Sequence, residues 1–433
     1  MSVRDILLGG GADNGLLAAT NLGQYTTVAD VAASGDDAFY VAGFHTSGNV
    51  NNPGGAYVTK LDRQLSVLWQ RQFPMLQYED RVSPAAIATG PDGSIVMVGS
   101  IQTSAGYVGY LCKLSPAGVV LRQLKLSYGV FDSICVSVAV DAEGNIFTGF
   151  CYEGGENSKI FLVKLDQELA PQWAKELSRT VYTTLGGQRY QAALGLGVTS
   201  DWVSGGLYLH GRADNIDGSG SIAVLMRLDS AGMIQWQRYV VAANAGGLAI
   251  DDATLWLVGS LSNGSVFDRI GLINFDLLSG NVLLAREIVP EPYAGVSGVA
   301  VHTDGSPYIV GGQGLIALAA SGDPQAARSL TSAAGSLALS GICLGGPANL
   351  YSGGTIALAD GIHREAVLMQ QGFTPGLGAG GGFALAIAEA AVVAFTPSTG
   401  TSTFSLVTGS VGAGAVSLSV SASSFPFVVI PIS

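Results

Sequence analysis

Residues 91–99 read PDGSIVMVG, and nearly the same text returns as TDGSPYIVG at 303–311, with weaker echoes in AEGNIFTG from 142, DDAFYVAG from 36 and DATLWLVG from 252. A turn doublet followed by a short β-branched and aromatic run that ends in Gly predicts a tight turn entering a strand. Its recurrence predicts a repeat, so the period has to be found before any motif is read. A second anchor follows each such strand: YVTKLD from 57, YLCKLS from 110, FLVKLD from 161, VLMRLD from 224, LINFDL from 272, LIALAA from 315 and AVLMQQ from 366. Leu61, Leu114, Leu165, Leu228, Phe275, Leu318 and Gln370 stand at equivalent places, at intervals of 53, 51, 63, 47, 43 and 52 residues. The glycines Gly43, Gly99, Gly149, Gly211, Gly259, Gly311 and Gly353 keep the same count. A period near 50 with variable loops predicts seven four-stranded units, each with a small-residue inner strand such as AAIATG, where strands converge on an axis.

Composition agrees with a large, turn-rich, all-β chain: 433 residues, 48% apolar, 12% charged and 61 glycines. A net charge of −12 opposes phosphate binding, so nucleic acid is not an expected partner. MSVRDILLGGG places Asp5 inside a very short apolar run, unlike a signal peptide, and the apolar stretch FALAIAEAAVVAF from 383 is too short to span a bilayer and contains Glu389, so no membrane insertion is expected. Cys112, Cys135, Cys151 and Cys343 show no CxxC spacing and read as buried free thiols, with Cys135 and Cys151 expected opposite each other across a hairpin.

Eight residues after three of the anchor leucines stand Trp69, Trp173 and Trp236; Arg122, Leu283 and Ala326 hold that position in other copies. One large ring per repeat at a fixed place is expected to pack between units. Asp92, Glu143 and Asp304 sit at turn glycines and are expected to serve the turns.

On these anchors the chain resembles the seven-bladed β-propeller superfamily, close in texture to the propeller repeats of bacterial surface proteins and of phage virion (tail and fibre) proteins. The resemblance covers roughly residues 14–372 and implies a fold rather than an activity. The WD dipeptide and a repeat-wide Asp-box are missing. Residues 1–13 read as a leader or docking segment. Residues 373–433 open with the Gly-rich connector GFTPGLGAGGG and continue as FALAIA, TSTFSLVTG, AVSLSVS and FPFVVIPI, which read as a small β module expected to pack, through Phe425, Phe427, Val428 and Ile430, against another subunit or virion protein. Matching residues 13–34 to 280–301 predicts that Leu16 to Thr20 form the outer strand of the last blade, beside Val367, joining the ends of the ring.

No catalytic constellation emerges. His45, His210, His302 and His363 are isolated, no GxSxG, HExxH or P-loop is present, and RADNIDGSG from 212 has Ala213 where a calcium loop needs its first Asp. No metal, cofactor or catalytic residue is expected. Strand order predicts one face of compact acidic turns and a second face of long, varied loops. That second face gathers Tyr78, Tyr128, Tyr152, Tyr182 and Tyr190 with Asn49, Asn51, Asn52, Arg189 and Asp214, rings and polar groups suited to binding sugar or protein. The expected function is a non-enzymatic, tail-associated phage virion component (tail-tip, fibre or receptor-binding protein) that acts in an oligomer or assembly, docks to other virion or surface proteins through its terminal segments and contacts a host-surface glycan or protein. The alternative is a bacterial surface or exported carbohydrate- or protein-binding propeller, and the remaining reading is a polysaccharide-acting enzyme.

Overall fold

A computed structural model of the chain describes most of residues 16–372 and four short strands beyond them; residues 1–15, 25, 35–37, 46–54, 75–80, 105, 129–131, 154–158, 178–181, 184–188, 193–196, 202–204, 216–220, 242, 252, 263–266, 289–295, 313, 330–334, 345–348, 359–363 and the remainder of 373–433 lie outside the description. The chain is an all-β β-propeller. After Leu16–Gln24 (β1), one blade is built from Thr26–Ala33 (β2), Phe39–His45 (β3), Gly55–Leu61 (β4) and Val67–Pro74 (β5). The next has Arg81–Thr89 (β6), Ile95–Thr103 (β7), Gly106–Leu114 (β8) and Val120–Tyr128 (β9), and a third has Asp132–Val140 (β10), Ile146–Glu153 (β11), Lys159–Leu165 (β12) and Pro171–Leu177 (β13). A sheet of Tyr182–Thr183 (β14), Arg189–Ala192 (β15), Gly197–Ser200 (β16), Leu207–Asn215 (β17), Ser221–Leu228 (β18) and Ile234–Val241 (β19) comes next. Then follow Ala243–Ile250 (β20), Thr254–Ser262 (β21), Phe267–Asp276 (β22) and Val282–Ile288 (β23), and after them Gly298–Val301 (β24), Pro307–Gly311 (β25), Gly314–Leu318 (β26) and Pro324–Ser329 (β27). Gly335–Leu344 (β28), Asn349–Leu358 (β29) and Arg364–Gly372 (β30) are completed by β1, which runs antiparallel to β30 with Thr20 opposite Leu368 and Asn21 opposite Val367.

Seven equivalent blades are expected from the period, and here the structure corrects the expectation. Among the described residues six sheets keep an unbroken path of four antiparallel strands, whereas in the β14–β19 sheet the inner strand is broken and its pieces, β16 and β15, pair separately with β17. The reason is visible in the interval of 63 residues between Leu165 and Leu228, the longest between anchors, which leaves more chain than one blade needs.

Each blade buries its faces against its neighbours. One cluster joins Tyr40, Val58 and Phe73 to Met97, Tyr110 and Leu114; another joins Val98 and Leu111 to Phe150 and Phe161; a third closes the ring with Val28, Phe39 and Leu61 against Tyr351 and Leu368. The inner strands β2, β6, β10, β20 and β28 each carry a register shift at the same place, as between Val28 and Asp30 or Pro84 and Ala86. That bulge explains the strand-ending glycines. A Cβ on Gly43 would overlap the Thr27 carbonyl oxygen, and one on Gly99 would overlap that of Ser83, so the bulged backbone passes where a side chain would stand.

Three of the turns between third and outer strands share one chemistry. Asp62 Oδ1 accepts the amides of Gln64 and Ser66, Asp166 Oδ1 those of Glu168 and Ala170, and Asp229 Oδ1 those of Ala231 and Met233. Each turn ends on a left-handed residue: Gly118, Gly232, Gly280 and Gly322, but Leu65 and Leu169 at φ 62° and 61°. Those two side chains are buried in the inter-blade clusters, which offsets the roughly 1 kcal/mol that a left-handed non-glycine costs.

Two further expectations change. Cys135 pairs with Phe150 and Cys151 with Ile134, so the two thiols are offset by one residue rather than opposite. The C-terminal strands, Val393–Ala394 (β31), Leu406–Gly409 (β32), Leu418–Ala422 (β33) and Val428–Val429 (β34), pair not with one another but with the outer strands β23, β13, β9 and β5 of the ring, all antiparallel. Main-chain pairing to an open edge needs little of a sequence beyond extended, small and β-branched residues, and that texture reads the same whether the partner is near or far.

Candidate functional site: the loop face

Strand order fixes two faces. Every first-to-second and third-to-outer hairpin turns on one face, which includes residues 62–66, 90–94, 115–119, 141–145, 166–170, 229–233, 277–281, 302–306 and 319–323. The second-to-third and blade-to-blade connections lie on the other.

On the turn face the charges are spent internally. Trp69 Nε1 donates to the Pro116 carbonyl (3.1 Å) in the next blade's turn, while Arg71 Nε and Nη2 donate to those of Gly118 and Ala117 (both 3.0 Å) with the guanidinium 5.1 Å from the Trp69 ring. Trp236 and Arg238 repeat this on Leu277, Gly280 and Ser279, and Lys175 sits 5.4 Å from the Trp173 ring beside Gly232. Where the ring is missing, Arg122 reaches Glu168 of the following turn at 3.4 Å. The tryptophans therefore serve contacts between blades. The copy before β24 departs by one residue: its turn is longer, Asn274 pairs with Leu284 where Arg227 pairs with Trp236, and so Leu284 rather than Leu283 lies against the next turn at Gly322. Leu283 is left 57% exposed. Asp92 and Asp304 each cap their own turn through the amides of Ser94 and Ser306.

On the loop face the broken sheet projects. Before reaching β16 the chain forms a hairpin in which Tyr182 pairs with Tyr190 and Thr183 with Arg189; β15 also pairs with the end of β17, with Tyr190 opposite Asn215, Gln191 opposite Asp214 and Ala192 opposite Ala213. Four of the expected residues, Tyr182, Arg189, Tyr190 and Asp214, are thus brought onto one three-stranded ledge. Tyr128 and Tyr152 stand elsewhere, at the loop ends of β9 and β11, with Leu418 and Ser133 as backbone partners. Tyr78, Asn49, Asn51 and Asn52 lie outside the described residues.

Sequence reading missed Tyr107. It stands at the start of β8, 37% exposed, and its amide donates to Asp132 Oδ1 (2.6 Å) at the start of β10, tying the loop ends of two blades together. The signal was the short TSAGY connection at 103–107, which needs Gly106 at φ 119° and delivers an aromatic straight onto the face. His210, on β17 beside Gly197, has a buried Nδ1 without a hydrogen-bond partner, and burial holds its imidazole down at about 4, so it is neutral. Burial pushes the thiols of Cys112 and Cys135 up to about 12, which makes them unreactive. Among the described residues no group of His, Cys, Asp and Glu is arranged to hold a metal ion, and no helix is long and apolar enough to cross a membrane.

No protein-family model matches the chain, and no curated protein matches it. Among solved structures it is similar to the Pan2 WD40 domain of Neurospora crassa (14% identity, TM-score 0.45, 82% of this chain and 96% of that one). It is also similar to Drosophila Plexin A, solved in complex with Semaphorin 1b (8% identity, TM-score 0.49, 82% and 87%), and to a protein of unknown function from Dyadobacter fermentans (8% identity, TM-score 0.48, 83% and 100%).

Proposed function

We propose that the chain is a non-enzymatic binding propeller of a phage virion, tail-associated as a tail-tip, fibre or receptor-binding component, whose ring counts the broken β14–β19 sheet as a seventh, rebuilt blade. Its loop face contacts a host-surface glycan or protein, and its terminal segments dock to other virion or surface proteins. The observation that carries the reading is the asymmetry of the two faces. Turn-face carboxylates such as Asp62 and cations such as Arg71 are taken up by turn amides and by the next blade's carbonyls, whereas the ledge of β14, β15 and β17 brings the backbone positions of Tyr182, Arg189, Tyr190 and Asp214 into one strand register at the loop end of its sheet. Tyrosine supplies large contact area at low entropic cost, and several copies on one particle multiply a modest affinity.

The test is to replace Tyr182 and Tyr190 by Ala, show that melting is unchanged, and measure adsorption to host cells or to their surface polysaccharide. A fall of tenfold or more is expected. Unchanged adsorption removes the ledge from the binding role, and turnover of the polysaccharide by the intact protein replaces the reading with that of an enzyme. Mass spectrometry of purified particles separates a virion component from a bacterial surface protein.

A further inference from the structure

The ledge has two faces, and strand register sorts its residues between them. Residues directly opposite across an antiparallel pair share a face, and neighbours along a strand alternate. Ala192, Ala213 and Ile222 form one row across β15, β17 and β18, and Ile222 is buried in the cluster shared with Phe147, Cys151 and Leu162 of the β10–β13 blade. Two residues along, Tyr182, Tyr190 and Asn215 form a second row on that same face. The alternate positions belong to the opposite face: Thr183 beside Arg189, and Gln191 beside Asp214 and Ser221, in line with Ala223, which is buried against Leu255 and Leu257 of the β20–β23 blade. The four candidate residues are therefore divided, the two tyrosines on one face and Arg189 with Asp214 on the other.

The β10–β13 blade flanks the tyrosine face. Its own face that carries Ile134 and Cys151, both packed in the shared cluster, ends at the loop side on Asp132 paired with Glu153. The cations of these strand ends all stand on the other face of their sheets: Arg189, Arg212 opposite Ala223, and Lys159 opposite Tyr152. We propose that Tyr182, Tyr190 and Asn215 form a subsite for an uncharged glycan, in the gap between the ledge and the β10–β13 blade. The inference rests on the ledge being the binding surface proposed above, and narrows it to one face and one ligand class. Adjacent strands lie about 4.8 Å apart, so the row spans about 10 Å. That is room for two sugar rings, and far short of the roughly 800 Å² that each partner gives to a standard protein interface. Tyrosine rings stack on the apolar faces of sugars, and the carboxamide supplies both a donor and an acceptor for hydroxyls. The carboxylate pair on the flanking blade accepts further hydroxyls and repels sialic or uronic acids, a repulsion that none of the three cations is on the right face to offset.

The test uses the full chain on an array of neutral and anionic oligosaccharides. Retention should be confined to neutral glycans. Tyr190→Ala or Asn215→Ala should weaken binding to the best of them about tenfold or more, while Thr183→Ala and Gln191→Ala, on the same strands but the other face, stay within about twofold. Tyr190→Phe keeps the ring and should bind within about threefold. Should Tyr190→Ala misfold, Tyr182→Ala on the two-residue edge strand makes the same comparison. No retention of any glycan, a preference for anionic ones, equal losses from the two faces, or binding to a purified host-surface protein instead overturns the proposal. If adsorption to host cells still falls when Tyr182 and Tyr190 are replaced, the ledge keeps its binding role and only the glycan assignment fails; adsorption indifferent to both faces removes the ledge and the subsite together.

Discussion

Trp236 and Arg238 show how one blade holds the next: ring against turn, and a guanidinium fork on two carbonyls (both 2.8 Å) that the turn itself cannot satisfy. Trp236→Ala should cost about 3–5 kcal/mol, as for other buried rings, and Arg238→Ala about 1–2 kcal/mol for the lost bonds, both read by denaturant unfolding. The one-residue shift in the neighbouring copy gives a sharper test: Leu284→Ala should destabilise measurably, while Leu283→Ala should stay within about 0.5 kcal/mol. The tryptophans were legible from their spacing; the shift to Leu284 was not, because one extra turn residue leaves the apolar text LL unchanged. Asp30, invisible in any motif, accepts the amides of Val31 and of Ile87 in the next blade, beside Gly341 of β28. Burial, opposed by those two bonds, raises its carboxyl to about 6, and burial together with Asp30 raises the Cys343 thiol nearby. Between about pH 4 and pH 6 the native state holds the extra proton, so this group's contribution to stability falls as pH rises, by up to about 3 kcal/mol. Asp30→Asn should remove that component; the difference between the unfolding free energies of the two proteins from pH 4 to pH 7.5 measures it, and a difference flat with pH contradicts it.

At the scale of strands, the inner-strand bulge and its facing glycine were legible as a recurring Gly without a stated cause; the cause is a carbonyl that only the folded pair brings close. The second, third and outer strands of the β14–β19 sheet follow the repeat, but its inner strand does not: the small-residue run AALGLGVTS from 192 marks the place, yet with the surplus chain between Leu165 and Leu228 the pairing to β17 is divided between β15 and β16. The C-terminal strands mislead for the opposite reason. Their alternation is plain, yet edge addition is a main-chain affair and names no partner. Because β31–β34 add only an outermost strand to sheets already four strands wide, removing residues 373–433 should lower Tm by less than about 5 °C, measured by calorimetry.

For the whole molecule, closure rests on β1. Deleting residues 1–22 strips the last blade of its outer strand and should lower Tm by roughly 5–10 °C, more than the C-terminal truncation does; the reverse order would contradict the role of β1 in holding the ring. Around that joint the Thr26 hydroxyl accepts the Ala366 amide, the Ser340 hydroxyl donates to the Val28 carbonyl, and the Tyr351 hydroxyl donates to that of Arg63, so the two ends of the chain are locked by residues about 300 positions apart. The same arrangement imposes a timetable on the ribosome. β1 is made first and its partner β30 nearly 350 residues later, a delay of about 20–70 s at ordinary rates of synthesis. Throughout that interval β1 waits for the strand it pairs with, and the ring shuts only when translation is almost done.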